Sequence, residues 1–564
     1  MIPKESKELK IMTDTNRGIP GLREIFEKEY TWIAGFKRNV YRYADKDAMI
    51  YPLTGEKWTY DELNRVVNRY ANKLLSDGIK KGDVIMYQLL NCPQFAFTYV
   101  ASHKIGTVNC PINYRLSSGE IAMNLDDSKP EVFLFEASQM KVIRQALYIA
   151  RHRPLITLMV DIDGTTKTPS WATRFEDYIS DSPDSEPQID FEYNMYDETT
   201  RLYTSGTTGR QKGVPISSVN EVLSAHDVAM QFPADYRDVT INTTPWFHRG
   251  GLHCAGPAPM FYVGGTVVIM RKFDADECLD YVEKYGLTYI VGVPAVLEML
   301  TKVQETKPRN ISSLRGIVTM GSPLERAACI KYQQVLTPNI FNGYGLTETF
   351  WNTFLRPFEL PDMAGTAGHS CIDDEVRVVK SYPDRRAEPD DTAAMDGTEI
   401  GEIIIRSAAK SSYCYFDNAD ETEKRFYKNF AYTGDLGTWD KNHFVTVVGR
   451  KDDMIISAGE NIYPVQVEEL LSSHEKVEDC IVTASPDKAR GELVTAYIVP
   501  GDDTLTFEEL DKFCKDSPML ANYKRPRLYA FIDEIPRNAT GKKLHNKAKE
   551  MAAADLAAGK LTRI

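Results

Sequence analysis

Residues 203–213 read YTSGTTGRQKG, where glycine, serine and threonine crowd together ahead of a lysine. Small residues let backbone N–H groups turn toward an anion, and hydroxyl side chains add further donors. The stretch therefore has the texture of a phosphate-binding loop. Its spacing differs from the P-loop of nucleotide hydrolases, because Gly209 is followed by Arg-Gln-Lys-Gly. Taken alone, it leaves a generic solvent loop and a phosphate site both open.

The chain around this loop alternates apolar runs with segments of helical periodicity. DELNRVVNRYANKLLSDG repeats apolar side chains at helical spacing and ends at Gly78, where a C-cap would lie. KGDVIMYQL predicts a buried strand, and PQFAFTYVASHKIG predicts an amphipathic helix. Short runs such as YIVGV and GIVTM predict further strands next to helices. The alternation predicts an α/β fold of layered subdomains with largely parallel sheets.

A change in composition near residue 365 predicts a second kind of structure. Charged, turn-rich segments there separate short strands such as EIIIRS and FVTVVG, which favours a more antiparallel, β-rich subdomain. The length of 564 residues is too great for a single core. We place the domain boundary in VGRKDDMIISAG, with a large N-terminal domain over 1–451 and a small, mobile α+β domain over 452–564.

Composition excludes several classes of protein. A net charge of -13 argues against general nucleic-acid binding. No apolar run reaches the ~18 residues of a membrane span, and the first residues lack the apolar core of a secretory signal. The nine cysteines contain no CxxC pair, so neither a zinc site nor a disulfide framework is indicated. Since the C-terminus also lacks a peroxisomal SKL address, we expect a cytoplasmic protein, either a monomer or a homodimer.

Six stretches in one order carry a family resemblance that covers nearly the whole chain. They are YTSGTTGRQKG, PWFHRGG (245–251), NGYGLTE (342–348), YTGDLG (432–437), GRKDDMIISAGENIYP (449–464) and PRNATGKK (536–543). Together they resemble the adenylate-forming superfamily, which includes acyl-CoA synthetases, luciferases and adenylation domains. Within it the chain looks most like AMP-forming acyl-CoA synthetases, nearest to bacterial aryl or alicyclic acid CoA ligases.

The resemblance implies a reaction in two halves. A carboxylate attacks the α-phosphate of ATP to give an acyl-adenylate and pyrophosphate, and a thiol then displaces AMP. The first half must stabilise charge on a crowded polyphosphate, and the second must exclude water while admitting the thiol. The implied co-substrates and cofactors are ATP, Mg²⁺ and coenzyme A.

Roles for individual residues follow from the resemblance. Glu348 would hold Mg²⁺, Thr347 would contact the α-phosphate, and Asp435 with Arg450 would hold the ribose. A helix-start carboxylate for Glu348 and a simple turn residue for Asp435 are the alternatives. The full ATP/AMP-binding set would be Thr204, Ser205, Gly206, Thr207, Thr208, Lys212, Gly321, Ser322, Pro323, Asn342, Gly343, Tyr344, Asp435 and Arg450.

The key catalytic charge is expected on the C-terminal domain. By the resemblance, Lys542 would bridge the substrate carboxylate and the α-phosphate, although an exposed surface lysine is the ordinary alternative. Asp452 would be the hinge about which this domain rotates between the half-reactions. After rotation, a coenzyme A tunnel would be formed in part by Ser457, Ala458, Gly459 and Glu460.

The acid-binding side is expected around PWFHRGG. His248 would act there as a gate and not as a general base. The acyl pocket would be lined by Trp246, Phe247, Gly251, Met320 and Gly345, although core packing is the alternative for the large side chains. Glycine at 345, where acetate-specific relatives carry tryptophan, would leave room for a larger acid.

The substrate and the acceptor remain open at this stage. INTTPWFHRGG contains no carboxylate to pair with a substrate ammonium, which disfavours amino acids. We therefore expect an aromatic, alicyclic or medium-chain carboxylate, with free coenzyme A as the simplest acceptor and operation in the ATP-forming direction left open. The alternatives are a stand-alone enzyme that loads an acyl carrier protein, and a non-catalytic homologue that binds nucleotide.

Overall fold

The computed structural model describes residues 20–204, 211–321, 324–382, 385–458, 460–518, 520–538 and 541–564. Within these residues the α-helices share the lengths expected of a layered α/β protein. They are Pro20–Glu29, Trp32–Arg42, Tyr60–Ser76, Pro93–Ile105, Ser118–Ser128, Met140–Ile149, Phe175–Ile179, Ser218–Gln231, Arg249–His253, Pro257–Val263, Ala275–Tyr285, Pro294–Thr306, Arg326–Val335, Ala419–Arg425, Pro464–Ser472, Phe507–Asp516 and His545–Ala557. Short 3₁₀ turns occupy Ala137–Gln139, Pro357–Glu359 and Asn522–Lys524.

The first two sheets of the described residues are mostly parallel. One has the spatial order Thr173–Arg174, Ile156–Val160, Val132–Glu136, Val84–Gln88, Val108–Pro111, Glu198–Thr204 and Lys212–Ser217. The other has the order His369–Ser370, Phe350–Leu355, Ile340–Leu346, Gly316–Met320, Tyr289–Gly292, Val239–Asn242, Thr266–Val268, Asp47–Tyr51 and Glu56–Thr59. Antiparallel pairs occur only toward the ends of these sheets, as the predicted strand–helix alternation requires.

Two smaller sheets in the described residues follow in the later part of the chain. An antiparallel sheet contains Glu375–Lys380, Gly401–Arg406, Phe426–Tyr427, Phe430–Trp439 and Val445–Arg450. A mixed sheet contains Ile455–Ser457, Glu460–Ile462, Val477–Asp487, Gly491–Pro500, Leu528–Phe531 and Thr562–Arg563. The predicted fold class, layered α/β subdomains with a β-rich subdomain and a C-terminal α+β unit, is therefore confirmed.

One helix departs from its predicted character. The helix Pro93–Ile105 was expected to be amphipathic, but nearly all its side chains are buried. Phe95 belongs to a cluster that joins strands of both parallel sheets, and its ring meets Tyr87 and Trp246 edge-on. The helix is enclosed on all sides, so more of its side chains are buried than the single apolar face of an amphipathic helix would predict.

The C-terminal residues form cores of their own. The buried clusters around Ile455 and around Ile481 draw all their members from residues 455–564. The preceding strand Val445–Arg450 packs instead into the cluster of the β-rich sheet. This separation agrees with a boundary near residue 451, although the boundary itself and the mobility of the smaller unit stay predictions.

Candidate active site

The first centre of charge is the buried carboxylate of Glu348, which follows the strand Ile340–Leu346. The Tyr415 hydroxyl donates a 2.5 Å hydrogen bond to Glu348 Oε1, and Arg425 Nη2 lies 3.3 Å from the same oxygen. Burial alone would raise the pKa of Glu348, but Arg425 and Tyr415 hold it below its ordinary value. The residue expected to bind Mg²⁺ is therefore an ionised carboxylate, and both Tyr415 and Arg425 meet the same one of its oxygens.

A second carboxylate, Asp435, lies in the TGD turn of the strand Phe430–Trp439. The Asp435 N–H donates to the Thr433 hydroxyl at 2.9 Å, and Gly434 adopts a left-handed φ of 70°. A Cβ at Gly434 would lie only 3.3 Å from Arg450 Nη2. Threonine and glycine thus shape the turn so that Arg450 can approach the aspartate.

The predicted ribose-binding residues come together around that carboxylate. Asp435 and Arg450 pair across two antiparallel strands, with 3.3 Å between Nη1 and Oδ1. Tyr344 donates its hydroxyl to Asp435 Oδ2 at 2.7 Å. Loss of solvent and the adjacent carboxylate raise the pKa of Tyr344 well above its ordinary value, so the phenol stays protonated. The three side chains form one connected group, and their nucleotide roles stay predictions.

The ends of the YTSGTTGRQKG loop are held as a hairpin. Thr204 and Lys212 are paired residues in the antiparallel strands Glu198–Thr204 and Lys212–Ser217. The calls on Ser205, Gly206, Thr207 and Thr208 lie outside the described residues. The Lys212 ammonium forms an ion pair with Glu421 and lies 5.2 Å from the centre of the Tyr415 ring. Lys212 therefore faces the same helix that carries Arg425.

Arg425 and Tyr415 are the residues that the sequence analysis missed. Arg425 ends the helix Ala419–Arg425 and stands in a run of charges, ADETEKR, that has no motif of its own. From sequence, Arg425 could be told apart from the exposed Lys424 only if one knew which face of this helix points inward and that the helix is buried at its C-terminal end. Tyr415 lies in SSYCYFDNAD, a segment without a catalytic motif.

The carboxyl ends of two parallel strands bring several predicted residues to one edge. Thr319 is paired with Asn342, and Met320 is paired with Gly343. Asn342 is buried, and its Oδ1 has no hydrogen-bond partner among the residues that the structure describes. Gly321 follows directly with a φ of 84°. Ser322 and Pro323 lie outside the described residues.

The interpretation of Gly345 needs a correction. A Cβ at this position would stand 1.8 Å from the carbonyl oxygen of Phe350 and 2.6 Å from its carbonyl carbon. Both are backbone atoms of the partner strand, beside an irregularity in the pairing after Tyr344. The glycine is thus required by close backbone approach, and a side chain here would enter the hairpin and not a substrate space.

The predicted acid-binding side chains divide into two groups. Trp246 is fully buried, packs edge-on against Phe95 and belongs to the main core. Core packing, the alternative reading for Trp246, therefore describes its position best. Phe247 packs at a tilt against His248, with 4.1 Å between the ring centres. Met320 lies against Gly250, where an added Cβ would be 3.0 Å from the Met320 sulfur.

His248 and Gly251 are set by the short helix Arg249–His253. Loss of solvent lowers the pKa of His248 to about 4, and its Nε2 has no hydrogen-bond partner among the described residues. A neutral, weakly basic ring suits a gate better than a general base. A Cβ at Gly251 would lie 2.1 Å from the Pro245 carbonyl oxygen, so the backbone folds tightly on itself there. The same short helix contacts Thr347, because Arg249 donates a 2.5 Å hydrogen bond to the Thr347 carbonyl.

The C-terminal loop carries two adjacent lysines that differ in environment. Lys543 is part-buried and lies 3.6 Å from Glu468 and 3.4 Å from Asp479. Lys542 is exposed, and its backbone N–H donates to Asn538 at 2.9 Å. The loop is therefore anchored by one lysine and presents the other.

This loop lies over the sheet edge described above. A Cβ built on Gly541 would be 3.9 Å from Val293 Cγ2, and one built on Gly321 would be 3.8 Å from Val293 Cγ1. Val293 thus connects the strand edge to the residue that precedes Lys542.

The predicted hinge and tunnel residues lie farther along the C-terminal unit. Asp452 is exposed in a turn between the strands that end at Arg450 and begin at Ile455. Ser457 pairs with Gly491, and the Ala458 N–H donates to the Arg490 carbonyl at 2.8 Å. Glu460 starts the returning strand of that hairpin, while Gly459 lies outside the described residues.

Comparison with known proteins decides the family. The profile described as "AMP-binding enzyme" matches residues 36–414, and "AMP-binding enzyme C-terminal domain" matches residues 466–542. The chain belongs to the AMP-binding enzyme family. Accordingly, the predicted enzyme class, an acid–thiol ligase of the AMP-forming acyl-CoA synthetase type, is confirmed.

Three relatives show the range within this family. The peroxisomal butyrate–CoA ligase AAE11 of Arabidopsis thaliana is 30% identical over 93% of this chain and 93% of its own length. The fatty acid–[acyl-carrier-protein] ligase ScoC of Streptomyces coeruleorubidus is 30% identical over 88% and 92%. The o-succinylbenzoate coenzyme A synthetase of Bacillus subtilis, solved with ATP and magnesium ion, is 28% identical, has a TM-score of 0.77 and is covered over 91% and 98%.

Proposed function

We propose that this AMP-binding enzyme joins an aromatic, alicyclic or medium-chain carboxylate to coenzyme A. The acid and ATP would give an acyl-adenylate and pyrophosphate, and coenzyme A would then give acyl-CoA and AMP. The observation that carries the proposal is the approach of the Lys542 loop, through Gly541 and Val293, to the strand edge that bears Gly321. This approach brings the loop that carries Lys542 close to the unit that holds Glu348 and Asp435.

The nucleotide would be held by its sugar and its phosphates. Asp435 can accept hydrogen bonds from ribose hydroxyls, because a carboxylate offers acceptor sites beyond those used by Tyr344 and Arg450. The hairpin ended by Thr204 and Lys212 would close on the β- and γ-phosphates. Thr347 would meet the α-phosphate, since it immediately precedes Glu348.

A single magnesium ion fits the donor set only in combination with ATP. No group of three His, Cys, Asp or Glu side chains able to hold a metal occurs within the described part of the chain. Glu348 supplies one buried, ionised carboxylate, and magnesium commonly takes its other ligands from substrate phosphates and water. When bound, the ion would neutralise phosphate charge beside Glu348.

Lys542 would complete the first half-reaction as a mobile point charge between the carboxylate and the α-phosphate. The lysine would then have to leave so that a thiol can reach the acyl carbon. A turn at Asp452 is a suitable place for that rotation, because few backbone torsions need to change there. Ser457, Ala458 and Glu460 would then contribute to the coenzyme A tunnel, together with Gly459.

The acid class rests on the surroundings of His248. Phe247 and Met320 would provide an apolar lining beside the His248 imidazole, and residues 241–251 contain no carboxylate for a substrate ammonium. Gly345 no longer supports the size of the acid, since its Cβ direction is filled by backbone. The relatives named above act, by their names, on butyrate, a fatty acid and o-succinylbenzoate, which covers aliphatic and aromatic acids.

A carrier-loading enzyme is the second candidate, because ScoC is named for transfer to an acyl carrier protein. The described residues contain no helix that is both long and apolar enough to cross a membrane. Residence in the cytoplasm and the monomeric or dimeric state remain predictions.

A panel of acids tests the proposal. Pyrophosphate release is measured with ATP, magnesium and benzoate, cyclohexanecarboxylate, octanoate, acetate or an amino acid, and then with coenzyme A or a carrier protein as acceptor. We expect release with the first three acids and turnover with coenzyme A. Turnover only with a carrier protein would favour the second candidate, and no release with any acid would refute an adenylating function. Supplying acyl-CoA, AMP and pyrophosphate tests the ATP-forming direction.

A further inference from the structure

Arg425 is a part-buried cation for which the family resemblance gives no role. Its guanidinium contacts two groups: Nη2 lies 3.3 Å from Glu348 Oε1, and Nη1 donates to the Tyr432 carbonyl at 2.8 Å. Its Nε is also buried and has no hydrogen-bond partner among the residues that the structure describes. A buried donor without an acceptor is costly, so a bound ligand that supplies an acceptor would be favoured here.

Arg425 bridges the elements that carry the two carboxylates of the site. Its Nη2 meets Glu348, and its Nη1 meets the carbonyl of Tyr432, in the same strand as Asp435. If Asp435 holds the ribose and Glu348 faces the metal, the atoms between them belong to the α-phosphate, which is attached to the ribose 5′ carbon. Arg425 would then lie within reach of that phosphate, because it contacts Glu348 on one side and the strand that carries Asp435 on the other.

We propose that Arg425 binds the α-phosphate of the nucleotide, and that Glu348 holds the arginine in place while the nucleotide is absent. The inference rests on the proposed function, because it takes the nucleotide position from Asp435 and Glu348. When magnesium and ATP engage Glu348, the carboxylate gives up its ion pair and the phosphate replaces it as the partner of the guanidinium. A planar guanidinium suits this exchange, since it can keep one N–H on Tyr432 while others turn to phosphate.

The α-phosphate is retained in AMP and absent from adenosine, which gives a direct test by binding. Titration calorimetry measures the dissociation constants of AMP and adenosine in the presence of magnesium for the full-length protein. The variants are Arg425→Met, Arg425→Lys and, as the matched control, Lys424→Met. Lys424 lies on the same helix, but its side chain is 70% exposed and pairs with Glu421.

Arg425→Met is expected to weaken the binding of AMP at least about tenfold, because a charge-assisted contact to the phosphate is lost. The affinity for adenosine, which has no phosphate, should change by less than about twofold. The affinity of Arg425→Lys for AMP should lie between the affinities of Arg425→Met and the wild-type protein. Lys424→Met should bind both ligands as the wild-type protein does. If the methionine variant fails to fold, the affinities of Arg425→Lys for AMP and for adenosine, compared with those of the wild-type protein, still decide the test.

Two outcomes would overturn the inference. Equal weakening of AMP and adenosine would make Arg425 a structural partner of Glu348 alone. Unchanged AMP affinity in both Arg425 variants would place the α-phosphate elsewhere. In either case, continued acid-dependent pyrophosphate release by the wild-type protein would leave the proposed function standing, whereas absence of AMP binding to the wild-type protein would refute the function itself.

Discussion

The two regions that meet at the candidate site are built in opposite ways. In the N-terminal region, Glu348 and Asp435 are buried carboxylates that already have cationic and hydroxyl partners. In the C-terminal region, Lys542 is exposed on a loop that its neighbour Lys543 anchors. Under the proposed function, the nucleotide site would be assembled in advance, while the catalytic cation would be brought to it. Preorganised charge and a movable charge are different means to catalysis, and each makes its own prediction.

The largest expected effect is the loss of adenylation in Lys542→Ala. The carboxylate and the α-phosphate would lose their bridging cation, which should slow acyl-adenylate formation by about 10²–10³-fold or more. Thioester formation from a supplied acyl-adenylate should change by less than about tenfold. Rapid-quench measurement of each half-reaction separates the two rates.

Lys543→Ala is the matched control for that change. It removes a part-buried ion pair with Glu468 and Asp479, so unfolding should become easier by about 1–2 kcal/mol while the folded protein still forms adenylate. Equal loss of both half-reactions in Lys542→Ala, or loss of adenylation in Lys543→Ala, would remove the distinction between the two lysines.

A second prediction concerns the prepared region. Gly345→Ala places a Cβ against the Phe350 carbonyl group, and the hairpin that leads to Glu348 would have to open. We expect a loss of about 2–3 kcal/mol in the free energy of unfolding together with weaker ATP binding. Gly119→Ala, where no atom lies within 4 Å of the added Cβ, should leave both quantities nearly unchanged.

Full activity and stability in Gly345→Ala would contradict the backbone explanation and restore the earlier interpretation of this glycine as substrate space. Chemical denaturation and nucleotide titration measure the two properties on the same samples.

The smallest effect expected is a pH dependence of the C-terminal unit. His545 lies 2.7 Å from Glu468 and starts the helix His545–Ala557. Burial alone would lower the pKa of His545, but Glu468 and Asp453 hold it above its ordinary value of 6.5. The ion pair therefore stabilises the folded state fully below about pH 6.5, and this contribution is lost as the pH rises through the folded pKa.

Amide exchange in that helix, corrected for the intrinsic rate, measures the effect. Protection should fall by about tenfold between pH 6 and pH 9, equivalent to about 1–2 kcal/mol, and His545→Gln should remove the dependence. Exchange that is independent of pH in the wild-type protein would show that the histidine contributes nothing to this unit.

The sequence predicted one of these regions better than the other. Strand and helix periodicity predicted the sheets, and the motifs named Tyr344, Asp435 and Arg450 as candidate nucleotide-binding residues, which lie in one connected group. Arg425 could not be found in this way, because its role depends on burial of one helix end against Glu348. The meaning of Gly345 was also hidden, since only the paired strand reveals the carbonyl that excludes a side chain.

The most direct test of a prepared site served by a delivered lysine is to fix the loop in place. Cysteines would replace Val293 and Gly541, since a Cβ built on Gly541 lies 3.9 Å from Val293 Cγ2, and oxidation would join them as a disulfide, with each single variant as control. If the lysine must leave before the thiol enters, the locked protein forms and retains acyl-adenylate, and makes thioester only after the disulfide is reduced or in the unlinked controls. Thioester formation at the unlinked rate in the locked protein would show that the loop does not have to move.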